Sequence, residues 1–207
     1  MERSQNTSPT MVVWDLGGVL APSGSAPAAL AEALDVPESQ LAAPYWTHRD
    51  AYDLGASPET YWRLVADALG RPLDGAWVDR LDRIDTGYWA TLASDAAALL
   101  ARLTERGTPL GILSNAPGSL ARAVRRAPWS TRFEALVFSS DLGLMKPDPL
   151  VYRAADERLG RAPSEVVFFD DRPENVAAAG AHGWRAHVWT GAEAAAAVLA
   201  REGVLDD

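Results

Sequence analysis

Residues 11–20 read Met-Val-Val-Trp-Asp-Leu-Gly-Gly-Val-Leu, and they constrain the fold more tightly than any other stretch. Four apolar residues run directly into Asp15 and then into Gly17 and Gly18. A short apolar run bounded by glycine reads as a strand buried on both faces, which delivers a carboxylate at its C-terminal edge. In open parallel sheets that edge is where ligands bind. The first question is therefore what Asp15 does there.

Further runs of the same kind follow at Leu110–Leu113, Ala135–Phe138, Val166–Phe169 and Ala186–Trp189. Helical patterns separate them: Ser94-Asp95 capping a helix that ends at Gly107, one near Leu120–Arg126, one from Pro149 to Leu159, one opened by Pro173, and a terminal one over Glu193–Arg201. Strand and helix in alternation predict an α/β fold, a doubly wound and mainly parallel sheet with helices on both faces. Between the first two strands the signals are helical only. Ala28–Leu34, a helix opening near Pro37, the Ser57-Pro58-Glu59 start and the stripe from Leu73 to Ile84 all lie there. We expect a core made of residues 10–22 plus 93–207 and a small helical cap over 23–92, inserted after the first strand.

The net charge of −9 argues against nucleic acid or an anionic membrane as partner, so an anionic substrate needs a local positive site. The chain has 18 arginines and a single lysine, Lys146; either the composition favours Arg, or a compact ammonium is required at that one place. Zero cysteines exclude disulfides and thiolate chemistry. The polar first ten residues lack the apolar segment of a secretory signal, and no apolar run approaches the ~20 residues of a membrane span, so the expected location is cytoplasmic.

Four strand ends carry polar residues: Asp15, Ser114-Asn115, the loop holding Lys146, and Asp170-Asp171. A doubly wound sheet converges them on one crevice. Carboxylates without His or Cys suit a hard cation such as Mg²⁺. A hydroxyl, an amide and an ammonium suit phosphoryl oxygens, and one carboxylate facing the phosphorus can act as nucleophile.

On these motifs the chain resembles the haloacid-dehalogenase-superfamily hydrolases. The elements, in order, are Val-Trp-Asp15-Leu-Gly17-Gly18-Val-Leu, Ile-Leu-Ser114-Asn115, Leu-Met-Lys146-Pro147-Asp148 and Phe-Phe-Asp170-Asp171-Arg-Pro-Glu-Asn175. Asp-Leu-Gly-Gly with Phe-Phe-Asp-Asp is similar to a branch that contains sugar-phosphate phosphatases, including ones acting on glucose 1-phosphate. The N-terminal phosphatase domains of soluble epoxide hydrolases are a related comparison. The resemblance implies a Mg²⁺-dependent phosphomonoesterase for a small phosphorylated substrate. In it Asp15 is nucleophile and metal ligand, Ser114 and Asn115 hold phosphoryl oxygens, Lys146 neutralises charge, and Asp171 is the second carboxylate on the metal. Asp170 is a ligand or a support through water.

Gly17 departs from the family pattern, in which an aspartate serves there as general acid and base while its carbonyl binds the metal. Glycine keeps the carbonyl and loses the carboxylate. A positioned acid–base is worth about 10²–10⁴ in rate. The expectation is therefore a preference for good leaving groups such as an anomeric sugar phosphate, or a substitute acid from the cap or from water. His48 in the cap is one source; a solvated surface histidine is the plainer reading. Trp14 and Trp189 read as core, and Trp46, Trp62 and Trp89 as helix packing or pocket wall. Two rivals stand: a haloacid dehalogenase, which uses an attacking Asp without metal, and a binding module that has lost turnover with Gly17.

Overall fold

The computed structural model describes residues 9–22 and 26–206. Five parallel strands form one sheet: β1 (Met11–Trp14), β2 (Leu110–Ser114), β3 (Ala135–Phe138), β4 (Val166–Asp170) and β5 (Arg185–Val188), in spatial order β3-β2-β1-β4-β5. Register pairs Trp14 with Ile112 on one side and with Phe169 on the other, and Asp15 N continues the ladder to Phe169 O at 2.9 Å. β1 is thus the centre of the sheet. The chain winds from it to one side and later to the other, which opens a crevice at its C-terminal end.

Strand residues alternate between two apolar layers. Val12, Trp14, Ile112 and Phe169 face one cluster, and Met11, Val13, Leu113 and Phe168 the other. The second layer is closed by α9 (Pro149–Leu159) and α10 (Pro173–His182) through Val151, Tyr152 and Ala179. The first is closed by α6 (Ser94–Glu105) and α11 (Ala192–Arg201), and α7 (Gly118–Arg126) packs into it through Leu120 and Val124.

Among the described residues, five α-helices lie between β1 and α6: α1 (Ala26–Leu34), α2 (Glu38–Thr47), α3 (Arg49–Asp53), α4 (Pro58–Ala68) and α5 (Gly75–Trp89). Ser57 Oγ accepts from Thr60 N at 3.1 Å and Asp74 Oδ1 from Trp77 N at 2.9 Å, so local caps start α4 and α5. The insert's apolar residues, among them Leu41, Tyr61, Trp62 and Leu81, belong to the same buried cluster as Val12 and Trp14. Ala93 N donates to Leu20 O at 2.8 Å and ties together the points where the chain leaves the sheet and returns.

That bond also alters one expected boundary. Ala93, extended by its pairing with Leu20, becomes the N-cap residue of α6, and Ser94 is already helical. Likewise β5 runs from Arg185 to Val188, one residue earlier than expected at each end, and Trp189 N donating to Asp170 O at 2.9 Å is the last rung of its ladder. The short helix α8 (Ser139–Leu142), directly after β3, carries no periodic signal in the sequence. Among the described residues no helix is long and apolar enough to cross a membrane.

Candidate active site

After Asp15 the chain makes one wide turn, Leu16–Leu20, closed by Ala21 N donating to Leu16 O at 2.7 Å. Gly18 takes φ +72°, and a methyl group on it would stand 2.6 Å from Asp171 Oδ2. Glycine is required there twice, by backbone conformation and by the neighbouring carboxylate. Gly17 is different. Its φ of −66° suits any residue, and a methyl group would meet Trp89 Cζ3 at an ordinary 3.6 Å. The position tolerates a side chain but sits under the Trp89 indole.

The sole lysine is 1% exposed, at the centre of the crevice. Lys146 Nζ donates to Asp170 Oδ2 at 2.6 Å and to Leu113 O at 2.9 Å, and lies 2.9 Å from Asp15 Oδ1. Burial would lower its pKa, but the Asp15 and Asp170 carboxylates more than offset this and raise it. The single lysine is thus buried against two carboxylates rather than solvated at the surface. Asp170 is fully engaged: it also accepts from Asn175 Nδ2 at 3.0 and 3.1 Å and from Arg172 N at 2.9 Å. Asn175, buried at the start of α10, is a site residue that its motif position hinted at and whose contact only folding reveals.

Asp15 Oδ1 is buried, with the Lys146 ammonium 2.9 Å away. Burial pushes the Asp15 carboxyl up to about 6, against the pull of Lys146 and with a further push from Asp170. Asp171 is raised too, first by burial and then by Asp170. One oxygen each of Asp15, Asp170 and Asp171 lie within 4.8 Å of one another. Three carboxylates against one ammonium leave the cluster short of positive charge, and the donors are all oxygen. An all-oxygen donor set with excess negative charge fits a hard divalent cation.

Ser114, at the end of β2, is buried beside Asp15. The Asn115 side chain is committed to the lysine loop: Nδ2 donates to Lys146 O and Oδ1 accepts from Lys146 N, both at 2.9 Å. This clamp fixes the ammonium. The strand ends thus bring together Asp15, Gly17, Ser114, Asn115, Lys146, Asp170 and Asp171, and all but Asp170, which lies just behind, line one cavity of about 840 Å³.

The insert supplies the opposite wall, and here sequence reasoning missed most. Arg49 is 7% exposed. Its Nε donates to Asp53 Oδ1 at 2.9 Å and its Nη1 to Asp85 Oδ2 at 3.1 Å and Tyr45 Oη at 2.5 Å. Tyr45 Oη donates to Asp85 Oδ1 at 2.6 Å and accepts from Trp89 Nε1 at 2.9 Å. Burial pushes the Asp53 carboxyl up to about 6, opposed by Arg49. Arg49, Asp50, Asp53, Trp46 and Trp89 line the cavity and His48 does not. Trp62 is core, while Trp189 packs edge-on against Trp14 at 5.9 Å and also reaches the cavity.

Against known proteins, the chain is 30% identical over 130 residues to (S)-2-haloacid dehalogenase 1 of Pseudomonas sp. (strain CBS-3), covering 60% of this chain and 57% of that protein. It thus spans just over half the length of the haloacid dehalogenases it matches. It is 29% identical over 190 residues to a phosphoglycolate phosphatase of Xylella fastidiosa, covering 88% of this chain and 80% of that one. The L-2-haloacid dehalogenase of Xanthobacter autotrophicus has the same fold, with TM-score 0.70, 23% identity, and 92% and 83% coverage of this chain and that one. So does a HAD family enzyme of Bacteroides thetaiotaomicron solved with magnesium and inorganic phosphate, with TM-score 0.68, 19% identity, and 88% and 94% coverage. The family model for haloacid dehalogenase-like hydrolases matches residues 10–183, and the chain belongs to that family.

Proposed function

We propose that the protein is a Mg²⁺-dependent phosphatase of small phosphomonoesters, acting through an aspartyl-phosphate on Asp15. The observation that carries this reading is the charge pattern of the crevice: Asp15, Asp170 and Asp171 converge around a single buried ammonium. A carbon–halogen hydrolase attacking with Asp15 has no need of Asp171, whereas a phosphatase needs a divalent cation and hence the extra carboxylate. Asp15, Asp171 and the Gly17 carbonyl would hold the ion, with Asp170 behind them. Bound there, Mg²⁺ would neutralise charge on the phosphoryl group.

The residues divide the work. An Asp15 oxygen attacks phosphorus in line with the leaving oxygen. Lys146, held by Asn115, Asp170 and Leu113 O, stabilises charge that develops beside the nucleophile. The Ser114 hydroxyl donates to a phosphoryl oxygen. Water then hydrolyses the aspartyl-phosphate. The indoles of Trp46, Trp89 and Trp189 with Arg49 and Asp50 offer apolar faces and polar edges of the kind a sugar ring uses, which makes a sugar phosphate the substrate we favour. The phosphoglycolate phosphatase likeness over 88% of the chain supports the phosphatase reading.

The likeness to (S)-2-haloacid dehalogenases favours a second reading, halide displacement by Asp15. A panel of phosphate esters, glucose 1-phosphate and glucose 6-phosphate included, and 2-chloropropionate, each with and without Mg²⁺, separates the two. Metal-dependent phosphate release abolished by Asp15→Asn is the expected result. Metal-independent chloride release without phosphatase activity overturns it, and turnover of neither class makes the chain a binding module.

A further inference from the structure

We infer that Asp53, on the helical insert, gives a proton to the leaving oxygen and takes one from the attacking water, in place of the carboxylate absent at Gly17. This rests on the phosphatase reading. In the first step Asp15 forms a bond to phosphorus, the ester P–O bond breaks, and the Asp53 proton moves to the departing oxygen. In the second, the Asp53 carboxylate takes a proton from water as that water attacks phosphorus and the bond to Asp15 breaks. The sum is ester plus water giving alcohol plus phosphate, with Asp53 reprotonated.

The placement is specific. Asp53 lies at the end of α3 and is docked on the core rather than held by the insert alone. Ser139 Oγ, at the start of α8, donates to Asp53 O at 2.5 Å and accepts from Ala116 N at 2.9 Å. The Asp53 backbone is therefore two hydrogen bonds from the Ser114–Asn115 strand end. Asp53 lines the same cavity as Asp15 and Lys146. Arg49 Nε engages Oδ1, and among the described residues no hydrogen bond reaches Oδ2. One oxygen is thus anchored and the other is available to a ligand.

The environment suits the role. Arg49 is shared between Asp53 and Asp85, so it neutralises neither completely. Burial then holds the Asp53 carboxyl at about 6, where both forms are accessible near neutral pH. Apart from Asp15 and Asp171 of the cluster itself, the other acids on the cavity wall, Asp50 and Asp95, are exposed, and among the described residues their side chains make no hydrogen bond that would fix them. His48 does not line the cavity. At Gly17 the Trp89 ring covers the space.

The test compares first-turnover rates in Mg²⁺ for wild type and Asp53→Asn. One substrate is p-nitrophenyl phosphate, whose phenolate leaves without a proton, and the other is the best alkyl ester of the panel. We expect the alkyl-ester rate to fall by about 10²–10⁴ while the nitrophenolate burst is retained, with Asp53→Glu recovering part of the loss. The retained burst shows that Asp53→Asn is folded. In wild type, a normal solvent deuterium isotope effect is expected on the alkyl ester and not on the nitrophenyl ester, which needs no variant. An equal loss on both esters, no loss on the alkyl ester, or the absence of that isotope effect overturns the role of Asp53 alone. A wild type inert toward both esters overturns the phosphatase reading instead.

Discussion

The carboxylate of Asp171 fills the space in front of the Gly18 α-carbon, 2.6 Å from where a methyl group on that residue would sit. The turn after β1 and the acid after β4 therefore constrain one another. We expect Gly18→Ala to lose about 1–2 kcal/mol from its φ of +72° alone and to push Asp171 out of the cluster. Thermal unfolding with and without Mg²⁺ checks this: the variant should melt lower and gain less from the ion. Gly17→Ala, with φ −66° and an ordinary contact to Trp89, should melt close to wild type.

Lys146 compensates two buried carboxylates at 2.9 and 2.6 Å. Lys146→Met should remove turnover and about 3–5 kcal/mol of stability, since it leaves uncompensated buried charge. The loss should shrink in acid, where the Asp15 carboxyl, raised to about 6, takes up a proton. Urea unfolding of the variant at pH 5 and pH 8 reads this; a loss independent of pH would contradict it.

Asp15 is raised from 3.8 to about 6 in the folded chain. A carboxyl raised on folding binds more protons in the native state, so its contribution is present below about pH 4 and lost as pH rises through 6. Without divalent cations, Asp15→Asn should therefore be more stable than wild type at pH 8, by about 1–3 kcal/mol, and the gain should vanish near pH 4. Saturating Mg²⁺ at about 100 times its dissociation constant should add about 2.7 kcal/mol to wild type and little to Asp15→Asn. Denaturant melts in chelator and in Mg²⁺ measure both.

Gly111, in the middle of β2, is required by packing. A methyl group there would lie 2.8 Å from Leu159 Cδ2 and 3.3 Å from both Met11 Sδ and Val13 Cγ2. Gly111→Ala should cost about 1–3 kcal/mol through overpacking between the sheet and α9. Pairing it with Leu159→Ala should recover part of that loss in a double-mutant cycle.

The core half of the site was legible because its residues sit at fixed places relative to strands. Asp15, Ser114 and Asp170 each end or directly follow an apolar run, and a parallel sheet aligns such ends whatever lies between them. The lone lysine offered two readings, a bias toward Arg or a required ammonium, and composition did not choose between them. The insert half was not legible. Arg49 and Asp53 are four residues apart, which suggests no more than a surface helix pair, while Asp85 lies 36 residues beyond Arg49 and Asp82 30 beyond Tyr52. Those meetings depend on how α3 and α5 are each set against α4, and helical periodicity does not encode that arrangement.

For the opening stretch, residue identity alone determined a buried strand, a carboxylate at its C-terminal edge, and a glycine pair that bounds it. These follow from hydrophobic run length and glycine chemistry, which act locally. The tertiary structure alone decided that Trp89 covers Gly17, that the Asn115 amide holds the Lys146 loop, and that Arg49 anchors Asp53 on the facing wall. Each of those is a contact between elements distant in the chain, and it exists only once their packing brings desolvated polar groups within reach of one another.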